Sequence, residues 1–203
     1  MGRMARGRGQ SEHGAGAPLL SAGSRCQAGE GATRNHSAAG LAMKAWFSGL
    51  WGNQQAVVEP ATLRDATALC QIHSASFHRG WGESEFETMI TERNTLVDRL
   101  RMRRKTIGFS VSRMGADEAE ILSIAVAESH RGRGLSGNLL LTHLGHLAGK
   151  GIRTVFLEVE ENNQPARRLY RSAGFSVVGR RESYYRQSGG EALDALLMRR
   201  DLS

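Results

Sequence analysis

The sequence is poor in the residues that mark several protein classes. It has two cysteines among 203 residues, Cys26 and Cys70, and their spacing suits neither a metal site nor a disulfide framework. No window approaches the roughly 18 consecutive apolar residues of a membrane span. Aromatic residues make up only 6%, and no RNA-recognition motif is present. We therefore expect a cytoplasmic protein that binds no metal, no DNA and no membrane.

The first 42 residues differ in composition from the rest of the chain. Residues 1–42 contain nine of the 25 glycines, no aromatic residue and no apolar periodicity, which is typical of a disordered tail. They could be an organelle transit peptide, an arm that seeks nucleic acid, or the product of an upstream translation start. The composition favours the last, with Met43 as the initiator. Residues 43–203 then form the folded domain.

The charge of the chain is mildly basic once this tail is set aside. The formal net charge is +7, and the tail contributes five arginines against two glutamates. The excess that remains is compatible with an anionic cofactor or with work beside nucleic acid. It is not by itself the signature of a DNA-binding protein.

Apolar spacing predicts a mixed α/β fold for the rest of the chain, with helices between strands. A pair of histidines three residues apart, His143 and His146, is expected at the surface of a helix without a catalytic role. The predicted strands lie at Val57-Val58, Thr95–Arg101, Lys105–Arg113, Glu120–Ala127, Thr154–Val159, Phe175–Val178 and Leu193–Met198. Three predicted helices begin at Thr62, Ser84 and Leu135, and Pro165 lies in the first turn of a fourth.

The segment from Ile124 to Gly137 predicts an anion-binding site. A strand leads into the turn Arg131-Gly132-Arg133-Gly134 and then into a helix. Free backbone N–H groups and the positive end of the helix dipole meet at such a helix start. Glycines let a ligand approach the backbone, and arginines can neutralise phosphate charge. The spacing fits neither a P-loop nor a dinucleotide-binding fingerprint.

This segment resembles the acetyl-CoA pyrophosphate loop of the GCN5-related N-acetyltransferase (GNAT) superfamily, which reads Arg/Gln-x-x-Gly-x-Gly/Ala. Arg131, Gly134 and Ser136 occupy the motif positions, with Ser136 where Gly or Ala is usual. The resemblance implies a mixed, mostly antiparallel sheet flanked by helices and splayed at the acetyl-CoA site. It also implies that acetyl-CoA is the co-substrate, bound by Ile124, Ala125, Val126, Arg131, Gly132, Arg133, Gly134, Leu135, Ser136 and Gly137.

Two residues downstream are candidates for catalysis. Strand alternation places Glu158 opposite its apolar neighbours Leu157 and Val159, so Glu158 is an acid within an apolar run. Tyr170 lies four residues after Ala166, on the small-residue face of the next helix. From the residues alone, a solvated Glu158 and a Tyr170 that merely packs in the core remain alternatives.

The pattern Leu-Glu-Val-x-x-x-Asn, followed by Ala-x-x-Leu-Tyr-x-x-x-Gly-Phe, resembles one GNAT branch, the RimI-type ribosomal-protein-alanine N-acetyltransferases. The resemblance implies that Glu158 is the general base, that Tyr170 is the general acid and that Asn163 contacts the cofactor. It further implies a protein N-terminal peptide as acceptor, with alanine at the start of a small-subunit ribosomal protein as the expected substrate.

The chemistry of amide formation agrees with these roles. Transfer from a thioester requires a neutral amine, a stabilised oxyanion and a proton for the departing thiolate. Roughly a tenth of a peptide α-amine is neutral at pH 7, against less than about one part in a thousand of a lysine. Two alternatives stay open. One is an acetyltransferase for lysine or a small-molecule amine, and the other is a catalytically silent ribosome- or RNA-binding module.

Overall fold

A computed structural model describes residues 56–77, 80–186 and 192–202, so the predicted tail and Met43 lie outside the described residues. The described chain forms one sheet of seven strands in the order β1-β2-β3-β4-β5-β7-β6. All neighbouring strands are antiparallel except β4 and β5. This confirms the mixed, mostly antiparallel sheet. The strands are β1 (Ala56–Pro60), β2 (Thr95–Met102), β3 (Lys105–Gly115), β4 (Glu118–Val126), β5 (Thr154–Glu160), β6 (Ser176–Arg186) and β7 (Ala192–Asp201).

Helices cover both faces of this sheet: α1 (Ala66–Ser74), α2 (Glu83–Thr91), α3 (Leu135–Gly149) and α4 (Gln164–Ser172). Consecutive residues of a strand point to opposite faces, and in β2 Leu96 and Val97 belong to two different cores. One core joins Val97 to α1 and α2, and the other joins Leu96 to α3 and α4. We call the two sides the α1–α2 face and the α3–α4 face.

Sequence signals located one helix start correctly and another less well. The backbone N–H of Thr62 donates to Asp65 Oδ2 at 2.9 Å, which confirms the predicted cap before α1. For α2, the prediction of a start at Ser84 is wrong, because the helix begins at Glu83. There the N–H of Gly82 donates to Glu85 Oε2 at 2.6 Å. The acid three residues after the glycine accepts from the glycine N–H, which is one half of a capping box, and glycine has no side chain to supply the other half.

A single extra residue in β4 interrupts its pairing with β3. Val111 lies opposite Ser123, whereas the next residue, Ser112, lies opposite Ile121. Leu122 is therefore a β-bulge. Bulges bend the strand that carries them and commonly occur next to active sites.

The bend separates β4 from β5. The two strands pair in parallel over four positions, the last being Ile121 opposite Leu157. Beyond that point Ser123–Val126 pair only with β3, and Glu158–Glu160 pair only with β7. We call the opening between these two segments the gap. It confirms the predicted splay of the sheet.

A buried polar cluster lies between α3 and the sheet on the α3–α4 face. His143 Nδ1 and His146 Nδ1 lie 2.6 Å and 2.9 Å from Asp98 Oδ2, and His143 Nε2 lies 2.7 Å from Ser112 Oγ. Because a carboxylate only accepts hydrogen bonds, the histidine protons lie on Nδ1. We call these four residues the Asp98 cluster. The prediction that His143 is a surface residue is wrong: its side chain is fully buried, whereas that of His146 is 36% exposed.

Candidate active site

The gap is lined on one side by backbone groups of β4. The N–H of Ala127 donates to Ile107 O on β3 at 2.8 Å. Alternate residues of a strand direct their peptide groups to opposite sides, so Ala125 also faces β3. Ile124 and Val126 direct theirs towards the gap. Of the three predicted backbone positions, these two can polarise a carbonyl group held there.

The turn between β4 and α3 has the form of an anion cradle. Gly132 and Gly134 each have φ of +73°, a left-handed conformation that side chains rarely adopt. A Cβ atom added at Gly132, Gly134 or Gly137 would meet nothing within 4 Å, so no side chain covers this backbone. The N–H groups of Leu135 and Ser136 have no intrahelical acceptor, because they lie in the first turn of α3. These features fit a diphosphate.

The two arginines of the turn differ in their contacts. Arg131 Nε donates to Val126 O at 2.9 Å, and its Nη2 donates to Ser76 Oγ at 2.9 Å. Arg131 therefore ties the cradle both to the end of β4 and to the segment after α1. Arg133 is exposed, and its Nη2 donates to Ser129 O at 3.1 Å. Arg131 fixes the shape of the cradle, and Arg133 supplies positive charge at its rim.

Glu158 lies at the gap on the α1–α2 face. It directly follows Leu157, the last residue of β5 that pairs with β4. Leu157 and Val159 belong to the core on the α3–α4 face, so Glu158 points to the opposite side. Its side chain is only 9% exposed and lies 3.1 Å from Arg181 Nη1. Glu158 is thus a largely buried, ion-paired carboxylate and not a solvated strand end.

Tyr170 lies in α4, on the other face of β5 from Glu158. It is 5% exposed, and its ring packs edge-on against Phe175 with 5.9 Å between centroids. Burial raises the pKa of Tyr170, so its hydroxyl stays protonated at physiological pH. A carboxylate and a protonated phenol therefore lie on opposite faces of β5.

Asn163 sets the start of α4. It is 7% exposed, and its Oδ1 accepts a hydrogen bond from the N–H of Ala166 at 3.2 Å. Pro165 occupies the first turn, where a missing N–H costs nothing. The side-chain oxygen therefore fixes the helix that presents Tyr170, and the predicted contact with a cofactor stays a prediction.

A further carboxylate near the gap escaped the sequence reasoning. Glu120 of β4 lies on the α1–α2 face, where the charge of Glu158 acts on it. Residue pattern alone could not relate two glutamates 38 positions apart. The signal would have been a correct pairing of β4 with β5 in parallel register.

The described part of the chain contains no membrane-spanning helix and no cluster of potential metal ligands. None of its helices is both long and apolar enough to span a bilayer. It also contains no group of three or more His, Cys, Asp or Glu residues placed to hold a metal ion.

Comparison with known proteins identifies one family. Residues 66–175, more than half of the chain, match the Acetyltransferase (GNAT) family. The match extends from the start of α1 past Tyr170, so it includes the gap, the cradle and Glu158.

Individual relatives agree with this family. A [ribosomal protein bS18]-alanine N-acetyltransferase of Escherichia coli strain K12 is 33% identical over 135 residues, which cover 66% of this chain and 89% of the relative. An uncharacterized protein of Mycobacterium leprae is 34% identical over 155 residues, covering 73% of this chain, but the chain spans only 42% of that protein. The crystal structure of the ribosomal-protein-S18-alanine N-acetyltransferase from Escherichia coli has a TM-score of 0.68 at 28% identity, covering 73% of this chain and 95% of that one.

Proposed function

The chain belongs to the acetyltransferase (GNAT) family and is an N-acetyltransferase; on this premise, we propose that it transfers the acetyl group of acetyl-CoA to the α-amine of a protein N-terminus. The leading acceptor is the N-terminal alanine of a small-subunit ribosomal protein, which puts the reaction in the cytoplasm. The observation that carries the proposal is the position of Glu158, a buried carboxylate directly beyond the last β4–β5 pair.

Acetyl-CoA supplies an acetyl group already activated as a thioester. The cradle would hold its diphosphate through the N–H groups of Leu135 and Ser136, with Gly132 and Gly134 giving the backbone its left-handed turns. Arg133 adds charge at the rim. The N–H groups of Ile124 and Val126 would stabilise negative charge that develops on a carbonyl oxygen in the gap.

Two side chains would move protons. Glu158 accepts a proton from the acceptor ammonium, directly or through one water, and so produces the nucleophilic amine. Tyr170 keeps a proton on its hydroxyl, as burial requires, and can give it to the departing sulfur. Their placement on opposite faces of β5 keeps the two proton transfers apart, so that neither group neutralises the other.

The choice of acceptor is supported by chemistry and by the relatives. A terminal α-amine needs less help to lose its proton than a lysine does, because its pKa is about 2 to 3 units lower. The relative from Escherichia coli is named for alanine on ribosomal protein bS18, and the match to this chain covers 89% of that relative.

The test is a panel of acceptors assayed for release of CoA. The panel contains peptides beginning with Ala, Ser and Met, free lysine and a polyamine. The matched control is the Ala peptide with a blocked α-amine and an internal lysine. We expect the highest kcat/KM with the free Ala peptide, with mass spectrometry locating the acetyl group on its α-amine. Faster turnover of lysine or the polyamine would establish the runner-up function, and no turnover of any amine would indicate a silent binding module.

A further inference from the structure

Glu120 and Glu158 flank the same end of the β4–β5 ladder. The neighbours of Glu120, Ala119 and Ile121, belong to the core on the α3–α4 face, so Glu120 points to the α1–α2 face. Its register partner on β5 is Phe156, and Glu158 is the next residue on that face of β5. The two carboxylates are therefore diagonal neighbours on one face of the sheet where the gap begins.

The two glutamates differ in their partners. Glu158 is ion-paired with Arg181 at 3.1 Å. Glu120 is half-buried and makes no hydrogen bond or ion pair within the described ranges. Burial and the charge of Glu158 raise the pKa of Glu120, while Arg113, its cross-strand partner on β3, and Arg181 act in the opposite direction. Among the residues described, these three are the charged groups that act on Glu120, from β5, β3 and β6 respectively.

We infer that Glu120 is the residue on which the proton from the acceptor amine comes to rest; this rests on the proposed function. An N–H bond of the ammonium breaks, the nitrogen keeps the electron pair, and the proton passes by way of Glu158 to a carboxyl oxygen of Glu120, from which water later removes it. Protonating Glu158 would forfeit its ion pair with Arg181. Protonating Glu120 relieves the repulsion between two like charges. Glu120 thus acts through Glu158 and keeps it ionised.

The first test is a pH profile of Glu120→Gln on the amine that the wild type acetylates fastest. We expect kcat to fall about tenfold, less than for a base that touches substrate, with KM unchanged. The acid limb of kcat/KM should move to lower pH, because Glu120, the carboxyl group whose pKa is raised, is no longer there to titrate. The control is Glu118→Gln, an exposed glutamate two residues earlier on β4, which should leave rate and profile unchanged.

The second test asks whether the two glutamates work as a unit. Residues that act together show strongly non-additive effects. We expect Glu120→Gln in a Glu158→Gln background to lower kcat by less than about threefold beyond Glu158→Gln alone. If the two losses multiply, Glu120 does not act through Glu158 and the inference is overturned.

A third readout does not depend on turnover. A glutamate whose pKa is raised in the folded state contributes its full stability below its unfolded pKa of about 4.3, and loses it as the pH rises through the folded value. Glu120→Gln should therefore melt at a higher temperature than the wild type at pH 8, with the difference closing towards pH 4. In the Glu158→Gln background this difference should shrink.

The outcomes separate the inference from the function on which it rests. If the wild type acetylates no amine of the panel, the proposed function fails. If the wild type is active but Glu120→Gln keeps its rate and its acid limb, only the role of Glu120 fails. A Glu120→Gln protein that melts lower than the wild type at every pH, with an unmoved acid limb, would show that Glu120 is a structural residue.

Discussion

Two carboxylate clusters on opposite faces of the sheet have opposite electrostatics. In the Asp98 cluster, burial alone would raise the pKa of Asp98, but hydrogen bonds from His143 and His146, and their charge, lower it. On the other face, burial and the charge of Glu158 raise the pKa of Glu120, although Arg113 and Arg181 act in the opposite direction. The surroundings of Asp98 therefore favour its ionised form, whereas those of Glu120 disfavour it.

The difference shows that one sheet can carry a buried polar cluster on one face and the carboxylates of a candidate active site on the other. Removing a buried carboxylate that has two donors lowers the free energy of unfolding, because the donors are then left unpaired in the core. Two neighbouring carboxylates repel each other when both are ionised, which lowers that free energy, and groups with a raised pKa such as Glu120 are common at functional sites. The sheet keeps these two arrangements on separate faces.

The largest expected effect comes from breaking the catalytic side of this comparison. Glu158→Gln removes the base but keeps the shape of the side chain, so turnover should fall by about 10²–10⁴. Raising the pH should restore part of the rate, because more of the acceptor amine is then neutral before it binds. The measurement is the pH profile of kcat on an Ala-starting peptide.

A matched control for this variant is Glu161→Gln, which removes a more exposed glutamate that is paired with Arg180 just after β5. Exposed ion pairs contribute little to stability, so this protein should fold and turn over as the wild type does. A Glu158→Gln protein with wild-type kinetics would remove Glu158 from the mechanism.

Breaking the Asp98 cluster should affect stability and leave chemistry intact. Asp98→Asn removes the charge that faces His143 and His146 in the core, and we expect a loss of about 3 kcal/mol in the free energy of unfolding. Urea unfolding measures it. Turnover per folded molecule should stay unchanged, and a fall in kcat at full folding would show that the cluster is coupled to the site.

Tyr170→Phe tests the comparison further, because Tyr170 lies on the α3–α4 face with the Asp98 cluster but is proposed to donate a proton in the reaction. The ring that packs against Phe175 is kept and only the hydroxyl is lost, so the melting temperature should not fall. Turnover should drop by about 10² with little change in the affinity for acetyl-CoA, and higher pH should not restore it. A variant that is as active as the wild type would leave Tyr170 a packing residue.

The smallest effect is a trend with pH. A carboxylate with a lowered pKa contributes stability above its unfolded pKa of about 3.9 and loses it as the pH falls through the folded value. The difference in unfolding free energy between the wild type and Asp98→Asn should therefore shrink on acidification below about pH 4, where the Glu120→Gln difference has also closed. At pH 8 the two substitutions should act in opposite directions, and a common direction would contradict the comparison.

Local patterns predicted much of the architecture and most positions of the candidate site. Alternation along β5 placed Glu158 opposite the apolar core, and glycines before Leu135 marked both the cradle and the start of α3. Both features depend on residues that are close in sequence. For the same reason the predicted strand from Thr154 to Val159 agrees with β5 to within one residue.

Contacts between distant segments account for what was missed. His143 lies four residues after Leu139 and four before Leu147, so helical spacing already places it on the apolar face of α3. What the spacing could not give is its hydrogen-bond partner Asp98, 45 positions earlier. Along β4 alone, Glu120 looks like an ordinary acid at a strand edge. Its relation to Glu158 follows only from the parallel pairing of β4 with β5. The strand β6 extends well past Val178, the predicted end, because it pairs with β7 as far as Arg186. Its exposed arginines do not alternate with apolar residues, so the sequence pattern did not indicate a strand there.

The extra residue Leu122 shifts the alternation of β4 by one, so that even-numbered and odd-numbered side chains exchange faces after it. Before it, the odd-numbered Ala119 and Ile121 face α3 and α4; after it, the even-numbered Ile124 and Val126 do so. Deleting Leu122 would restore regular alternation along the whole strand. It would change the position of the Glu120 side chain relative to the peptide N–H groups of Ile124 and Val126. The site therefore depends on the length of the strand as much as on its residues, so we expect substitutions at this position to be tolerated far better than deletions.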